Sequence, residues 1–115
     1  MSERKKELFL NDILESIDAI FEYLVDVDFD EFKSKRIVYQ AVVREFEIIG
    51  EAVKNIYPCL KNVYPEYPFR RVIDFRNRIS HEYFGINFKT IWDIIFYELP
   101  KLKEIIEYIR KEKIC

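Results

Sequence analysis

Glycine is nearly absent, at two residues in 115, while half of the chain is hydrophobic. Fibrous repeats and disorder are both excluded by that balance. Long apolar runs are missing too. The uncharged stretch Ile94 to Tyr97 is typical, far below the ~20 residues of a membrane span, so no membrane partner is expected. The charged opening Met1-Ser2-Glu3-Arg4-Lys5-Lys6-Glu7 has no apolar stretch or small-residue cleavage site behind it. An export signal is therefore not expected, and a cytoplasmic location is. Cys59 and Cys115 have neither CxxC spacing nor a histidine companion, so a metal site is not expected and both read as free thiols in a reducing compartment. The net charge of −2 offers no bulk attraction for nucleic acid, so any such activity must come from a local patch. A single glutamine amid abundant Lys, Glu and Ile is compatible with a thermophilic source.

What is present is helical periodicity. The length suits one domain spanning residues 1–115, able to bury over ~60% of its unfolded surface. Leu10, Ile13, Leu14, Ile17, Ile20, Phe21 and Leu24 recur at three-four spacing, which predicts an amphipathic helix from Glu3 to about Val25. The stretch Asp26 to Asp30 breaks that pattern and supplies N-cap residues. A second helix is expected from about Lys33 to Tyr57, with Val38, Val42, Phe46, Ile49, Val53 and Ile56 on one face. Gly50 in its middle costs ~1 kcal/mol relative to Ala, and close approach by a neighbouring helix is the natural compensation. Pro58, Pro65 and Pro68 mark an irregular linker whose tyrosines Tyr57, Tyr64 and Tyr67 are expected to pack over a core edge. Pro68 opens a third helix reaching Phe84, with Gly85 as its stop. Asn87 caps a fourth segment with Ile91, Trp92, Ile95 and Leu99, and Pro100 kinks it or restarts it into a last helix. No strand-like alternation and no repeat occur. The expectation is an all-α antiparallel bundle of four to five helices.

The third helix breaks the rule of apolar faces inward. At about 100° per residue, Phe69, Val72, Ile73, Phe75, Ile79 and Phe84 form its apolar arc, and Arg76 projects from the middle of it. A buried guanidinium cannot shed its proton, so either a carboxylate meets it or the arc lines a cleft. Glu45 holds a similarly anomalous place on the second helix, and a buried Glu45–Arg76 pair would satisfy both; such pairs are usually architectural. Glu47 and Glu51, four apart on the other side of that helix, are expected to form a solvated face or to meet Arg44.

The rest of the third helix argues for chemistry. Asn77 and His81 share a face, and Arg70, Arg71 and Arg78 crowd the polar side with Asp74 as the one acid from Phe69 to Ser80. His81 is the single histidine of the chain, with an ordinary pKa suited to proton transfer near neutrality. Together such groups can bind a phosphodiester, move a proton and neutralise charge.

The segment Arg76-Asn77-Arg78-Ile79-Ser80-His81-Glu82-Tyr83 reads as R-x4-H-x-Y and resembles the signature of the HEPN superfamily, specifically the HepT-like toxins. Asp12 to Ile17, Ile48-Ile49-Gly50-Glu51-Ala52, Tyr83-Phe84-Gly85-Ile86, and Trp92 with Leu99-Pro100 extend the resemblance over nearly the whole chain. Phe69 departs from the pattern, standing where Trp is frequent. The resemblance implies a HEPN-like all-α homodimer acting as a metal-independent endoribonuclease on RNA (tRNA or mRNA), the toxic half of a toxin-antitoxin pair. Arg76 and His81 would be catalytic, and Asn77 a supporting polar group, beside the phosphate-binding arginines Arg70, Arg71 and Arg78. Tyr83 would be the site of AMPylation by an MntA-type nucleotidyltransferase antitoxin. That partner consumes ATP, and the toxin itself needs no cofactor.

Arg76 and His81 lie about 140° apart around an ideal helix, so a two-fold dimer with the third helices near its axis is the expected way to bring them together. Tyr83 falls about 20° from Arg76, beside the phosphate-binding group. A rival reading of another class is a non-catalytic module that docks a nucleotidyltransferase and presents substrate or nucleotide to it.

Overall fold

In the computed structural model, which describes residues 1–81 and 87–115 (His81 through its backbone alone), every regular element described is helical. The seven helices are α1 (Glu3–Tyr23), α2 (Phe29–Ser34), α3 (Arg36–Asn55), α4 (Tyr57–Val63), α5 (Phe69–His81), α6 (Phe88–Tyr97) and α7 (Leu99–Lys111). None among the described residues is long and apolar enough to cross a membrane. The all-α expectation holds. The further reach of the third helix to Phe84, and Gly85 as its stop, lie outside the described residues.

Local chemistry sets the helix boundaries. Ser2 caps α1 by accepting from the Lys5 N–H. After α1, Asp26 turns the chain with a φ of 59°, a left-handed conformation that Asp tolerates better than most residues. Asp28 and Glu31 then form a reciprocal capping box on α2. Asn87 caps α6 by accepting from Lys89 N–H at 2.7 Å. Pro100 restarts the chain, sitting in the first turn of α7 where its missing N–H costs nothing.

The two short helices, α2 and α4, raise the helix number above the expected four or five. The proline-rich linker is not irregular throughout: Pro58 falls in the first turn of α4, the one place in a helix where proline is favoured. Its tyrosines pack over the core edge, Tyr67 against Phe69 and Tyr64 against Tyr108.

The core is one continuous cluster. Ile13, Ile17 and Ile20 of α1 meet Val42, Phe46, Ile49 and Val53 of α3, and α7 closes it with Leu102, Ile106 and Ile109. Each fully buried Leu, Ile or Phe contributes roughly 1.5–3 kcal/mol relative to exposure. Phe32, wholly buried, ties α2 to α6 through Phe88 and Trp92. In the middle lies α3, with α1 on one side and α5 on the other.

One sequence expectation is overturned. Cys59 and Cys115 are not free thiols but a disulfide, 56 residues apart in sequence with Cα atoms 5.8 Å apart. Neither the spacing of the two cysteines nor their sequence neighbours speaks to proximity; α4 and the tail beyond α7 bring the two sulfurs together.

The packing that positions the site is the contact of α3 with α5. Gly50 has no positive φ, so it is not there for backbone freedom. A Cβ on Gly50 would overlap the Cβ and Cγ of Arg76 and sit 3.4 Å from its Cδ. Glycine is used because the arginine stem occupies the space.

Two outcomes are expected. Gly50→Ala should lower stability by about 1–3 kcal/mol from overpacking, despite the better helix propensity of Ala; a higher urea midpoint would show that α5 does not approach so closely. Opening the disulfide releases a loop whose closure is worth about 4 kcal/mol in chain entropy. Reductant, or Cys115→Ser, should therefore shift the urea midpoint strongly downward, and an unchanged midpoint would show that the bond carries no stability.

Candidate active site

Arg76 leaves α5 over Gly50 and carries its aliphatic stem along α3. Its side chain is 26% exposed, so the head of the residue reaches solvent while the stem is covered, the usual compromise for a long cationic side chain on an apolar face. Nη1 donates to Asn77 Oδ1 at 3.1 Å. Nη2 lies 3.5 Å from Glu51 Oε2. Nε is enclosed and has no hydrogen-bond partner among the described residues. The guanidinium thus presents its Nη end, and not its Nε edge, to anything arriving from outside.

The expected Glu45–Arg76 pair does not form. Glu45 instead accepts a 2.7 Å hydrogen bond from the Tyr23 hydroxyl of α1. That bond, followed by burial and the Glu45 charge, raises the Tyr23 phenol above its ordinary pKa. Both glutamates lie on α3, but Glu45 faces α1 whereas Glu51 sits where α5 crosses.

Glu47 and Glu51 are accordingly more than a solvated face. Ser80 Oγ donates to Glu47 Oε2 at 3.1 Å, and Glu51 meets Arg76. The pairs Glu47–Ser80 and Glu51–Arg76 run in opposite sequence directions, so α3 and α5 are antiparallel here, with one rung per helical turn. Around Arg76 opens a groove of about 220 Å³ lined by Phe9, Asp12, Arg44, Glu47, Glu51 and Ala52, among others. Arg44 lines it, but Glu47 and Glu51 spend their resolved contacts on α5.

The remaining arginines of α5 do not join Arg76. Arg71 and Arg78 lie about 140° and 160° away around the helix, lining a separate groove of about 390 Å³ with Phe75, Ile94 and Leu99. Arg71 pairs with Glu98 at 3.4 Å, and Arg70 with Asp74 at 3.3 Å. Both pairs are exposed, so each holds its partner by no more than ~1 kcal/mol and yields readily to a phosphate. Arg78 has no ion pair among the described residues. In the same groove, burial raises the Tyr67 phenol above its ordinary pKa, and the Glu98 charge adds to it.

Asn77 stands beside Arg76 as expected, and its exposed side chain fixes one end of the guanidinium. His81 is the last helical residue of α5, five positions beyond Arg76. The Tyr83 modification site lies outside the described residues. What sequence reasoning missed is the acidic side of the site, Glu47 and Glu51 with Asp12. The signal was available in the matching four-residue spacing of Glu47/Glu51 and Arg76/Ser80 on either side of Gly50.

Comparison with known proteins identifies the family. The model of the family described as ribonuclease HepT-like matches residues 13–109. The "Probable ribonuclease HepT" of Thermococcus cleftensis is 36% identical over 109 residues, covering 95% of this chain and 99% of its own. "Putative RNase MJ0125" of Methanocaldococcus jannaschii is 38% identical over 112 residues, 97% of either chain. "Putative RNase TTE0752" of Caldanaerobacter subterraneus subsp. tengcongensis is 35% identical over 106 residues, 91% of this chain and 95% of its own. No solved structure matches the chain. With a family match across most of its length and relatives of this similarity end to end, the chain belongs to the ribonuclease HepT-like family.

Proposed function

We propose that the protein is an endoribonuclease that cleaves RNA without a metal ion, through Arg76 and His81. The observation that carries this reading is Arg76 itself. In a ribonuclease-family chain, a helix glycine is spent to seat an arginine on an apolar face with its Nη end open to solvent, five residues before the single histidine. A purely architectural arginine has no use for an open end.

RNA brings its own nucleophile, the ribose 2′-hydroxyl, so neither a bound water nor a metal-held hydroxide is required. His81 would take the 2′-hydroxyl proton or protonate the departing 5′-oxygen. Arg76 would donate through its Nη groups to the phosphate oxygens, where negative charge builds in the pentacoordinate transition state. The new 2′-O–P bond forms as the P–O5′ bond breaks, leaving a 2′,3′-cyclic phosphate and a 5′-hydroxyl. Asn77 would hold the guanidinium, and Arg70, Arg71 and Arg78 would bind flanking phosphates.

Arg76 and His81 diverge around α5, and the reading therefore includes a homodimer in which two copies of α5 meet and each Arg faces the partner's His. It also includes a toxin role in the cytoplasm, with tRNA or mRNA as target. Silencing would come from a nucleotidyltransferase antitoxin that transfers AMP from ATP to Tyr83. An AMP group there would add negative charge and bulk and so compete with substrate for the arginines.

Two outcomes test this. His81→Ala and Arg76→Ala should each slow cleavage of a mixed RNA substrate by ~10²–10⁴-fold while leaving the protein folded. Wild-type rates in the His81→Ala protein would refute the role of His81, and no cleavage by the wild-type protein itself would instead favour the module that docks a nucleotidyltransferase and presents substrate to it. Tyr83→Phe should keep ribonuclease activity and resist the antitoxin plus ATP; a Phe variant that is still silenced refutes the role of Tyr83.

A further inference from the structure

Glu51 stands out among the groups around Arg76. Its Oε2 lies 3.5 Å from Nη2, on the side of the guanidinium opposite the Asn77 contact to Nη1, and its own side chain is half exposed. The stem of Arg76 is fixed by contact with Gly50, the residue directly before Glu51. Two consecutive residues of α3 thus define where the arginine starts and where its head ends. With Nε enclosed and without a partner among the described residues, rotation of the guanidinium is limited by what holds the two Nη groups.

We infer that Glu51 is a positioning residue for Arg76, holding the guanidinium so that its outward Nη protons meet the scissile phosphate end-on. This rests on the ribonuclease reading above and adds to it the group that orients its key cation. Five N–H bonds are available on a guanidinium. One, on Nε, is enclosed; one, on Nη1, goes to Asn77; and Nη2 faces the Glu51 carboxylate at 3.5 Å as an ion pair. One proton on each Nη remains to grip two phosphate oxygens, a bidentate arrangement that demands a fixed plane. Without the carboxylate the plane is free to swing about the Cδ–Nε bond, and the bidentate geometry is lost for most of the time.

The opposite role for the same contact is competition: Glu51 would occupy the place of the phosphate, and removing it would help the enzyme. The two roles differ in sign. Under positioning, Glu51→Gln lowers kcat on the order of 10- to 100-fold with KM within about twofold, and Glu51→Asp recovers part of the loss. Glu45→Gln, on the same helix but bonded to Tyr23, serves as the charge-removal control and leaves activity unchanged. Melting temperatures of all three variants stay close to wild type, since Glu51 is half exposed and the Glu45–Tyr23 hydrogen bond lies at the surface.

A readout independent of cleavage is rotation of the Arg76 guanidinium, followed by nitrogen-detected NMR and assigned by its loss in Arg76→Lys. Rotation about Cζ–Nε should be slower for Arg76 than for Arg70 in the wild type and should speed up in Glu51→Gln. Unchanged rotation in that variant overturns the inference, as does unchanged or faster cleavage. A wild-type protein that cuts no RNA would refute the ribonuclease reading alone, and the rotation measurement would still decide the part played by Glu51.

Discussion

The close crossing of α3 and α5 at Gly50 is the constraint from which the rest of the site follows. A side chain at Gly50 would collide with the stem of Arg76, so the two helices can be this near only because one of them has nothing to offer there. The gain is a cation whose first carbons are fixed by backbone packing instead of by a mobile side-chain network. The cost is real: an enclosed Nε with no partner among the described residues loses about 1–3 kcal/mol of hydration, and a mid-helix glycine a further ~1 kcal/mol. A chain selected for stability alone would place leucine or alanine on this face.

The same crossing arranges the acids. Glu47 and Glu51 are one turn apart on α3, and they meet Ser80 and Arg76, one turn apart on α5. The groove at Arg76 is therefore lined by carboxylates, whereas Arg71 and Arg78 open on another groove. In the proposed mechanism a polyanion entering this groove meets two guanidiniums, Arg76 and Arg44, among carboxylates rather than a broad positive field, in keeping with a net charge of −2. In the proposed dimer, the second copy of α5 supplies the remaining groups.

Much of this was legible in the sequence because helix periodicity is a strong signal. The buried faces of α1, α3 and α7 carry the residues that three-four spacing selects, such as Ile13, Ile17, Val42, Ile49 and Ile106. Gly50 was legible as a close-approach point, and Asn87 as a cap, because each has one physical use at its position. What failed shares a cause: it depended on which neighbour lies across a gap. Glu45 sits on an apolar face, but that alone does not say whether Tyr23 or Arg76 faces it. Three prolines hid α4, since proline breaks a helix everywhere except in its first turn, where Pro58 falls. Cys59 and Cys115 meet only once α4 and the tail after α7 are in place. The family signature in Arg76 to Tyr83 was readable residue by residue, whereas the support of Glu51 for Arg76 required the crossing of two helices.

The central claim is that an arginine seated by helix packing promotes attack by the substrate's own 2′-hydroxyl. Its most direct test is cleavage of a short RNA in chelator, beside the same strand carrying a single 2′-deoxyribose just 5′ of the scissile phosphate. The account predicts full cleavage of the all-ribose strand in chelator, no cleavage at the deoxy position, and 5′-hydroxyl ends on the released fragments. Cleavage of the deoxy strand at that position, or 5′-phosphate ends that appear only with magnesium, would contradict it.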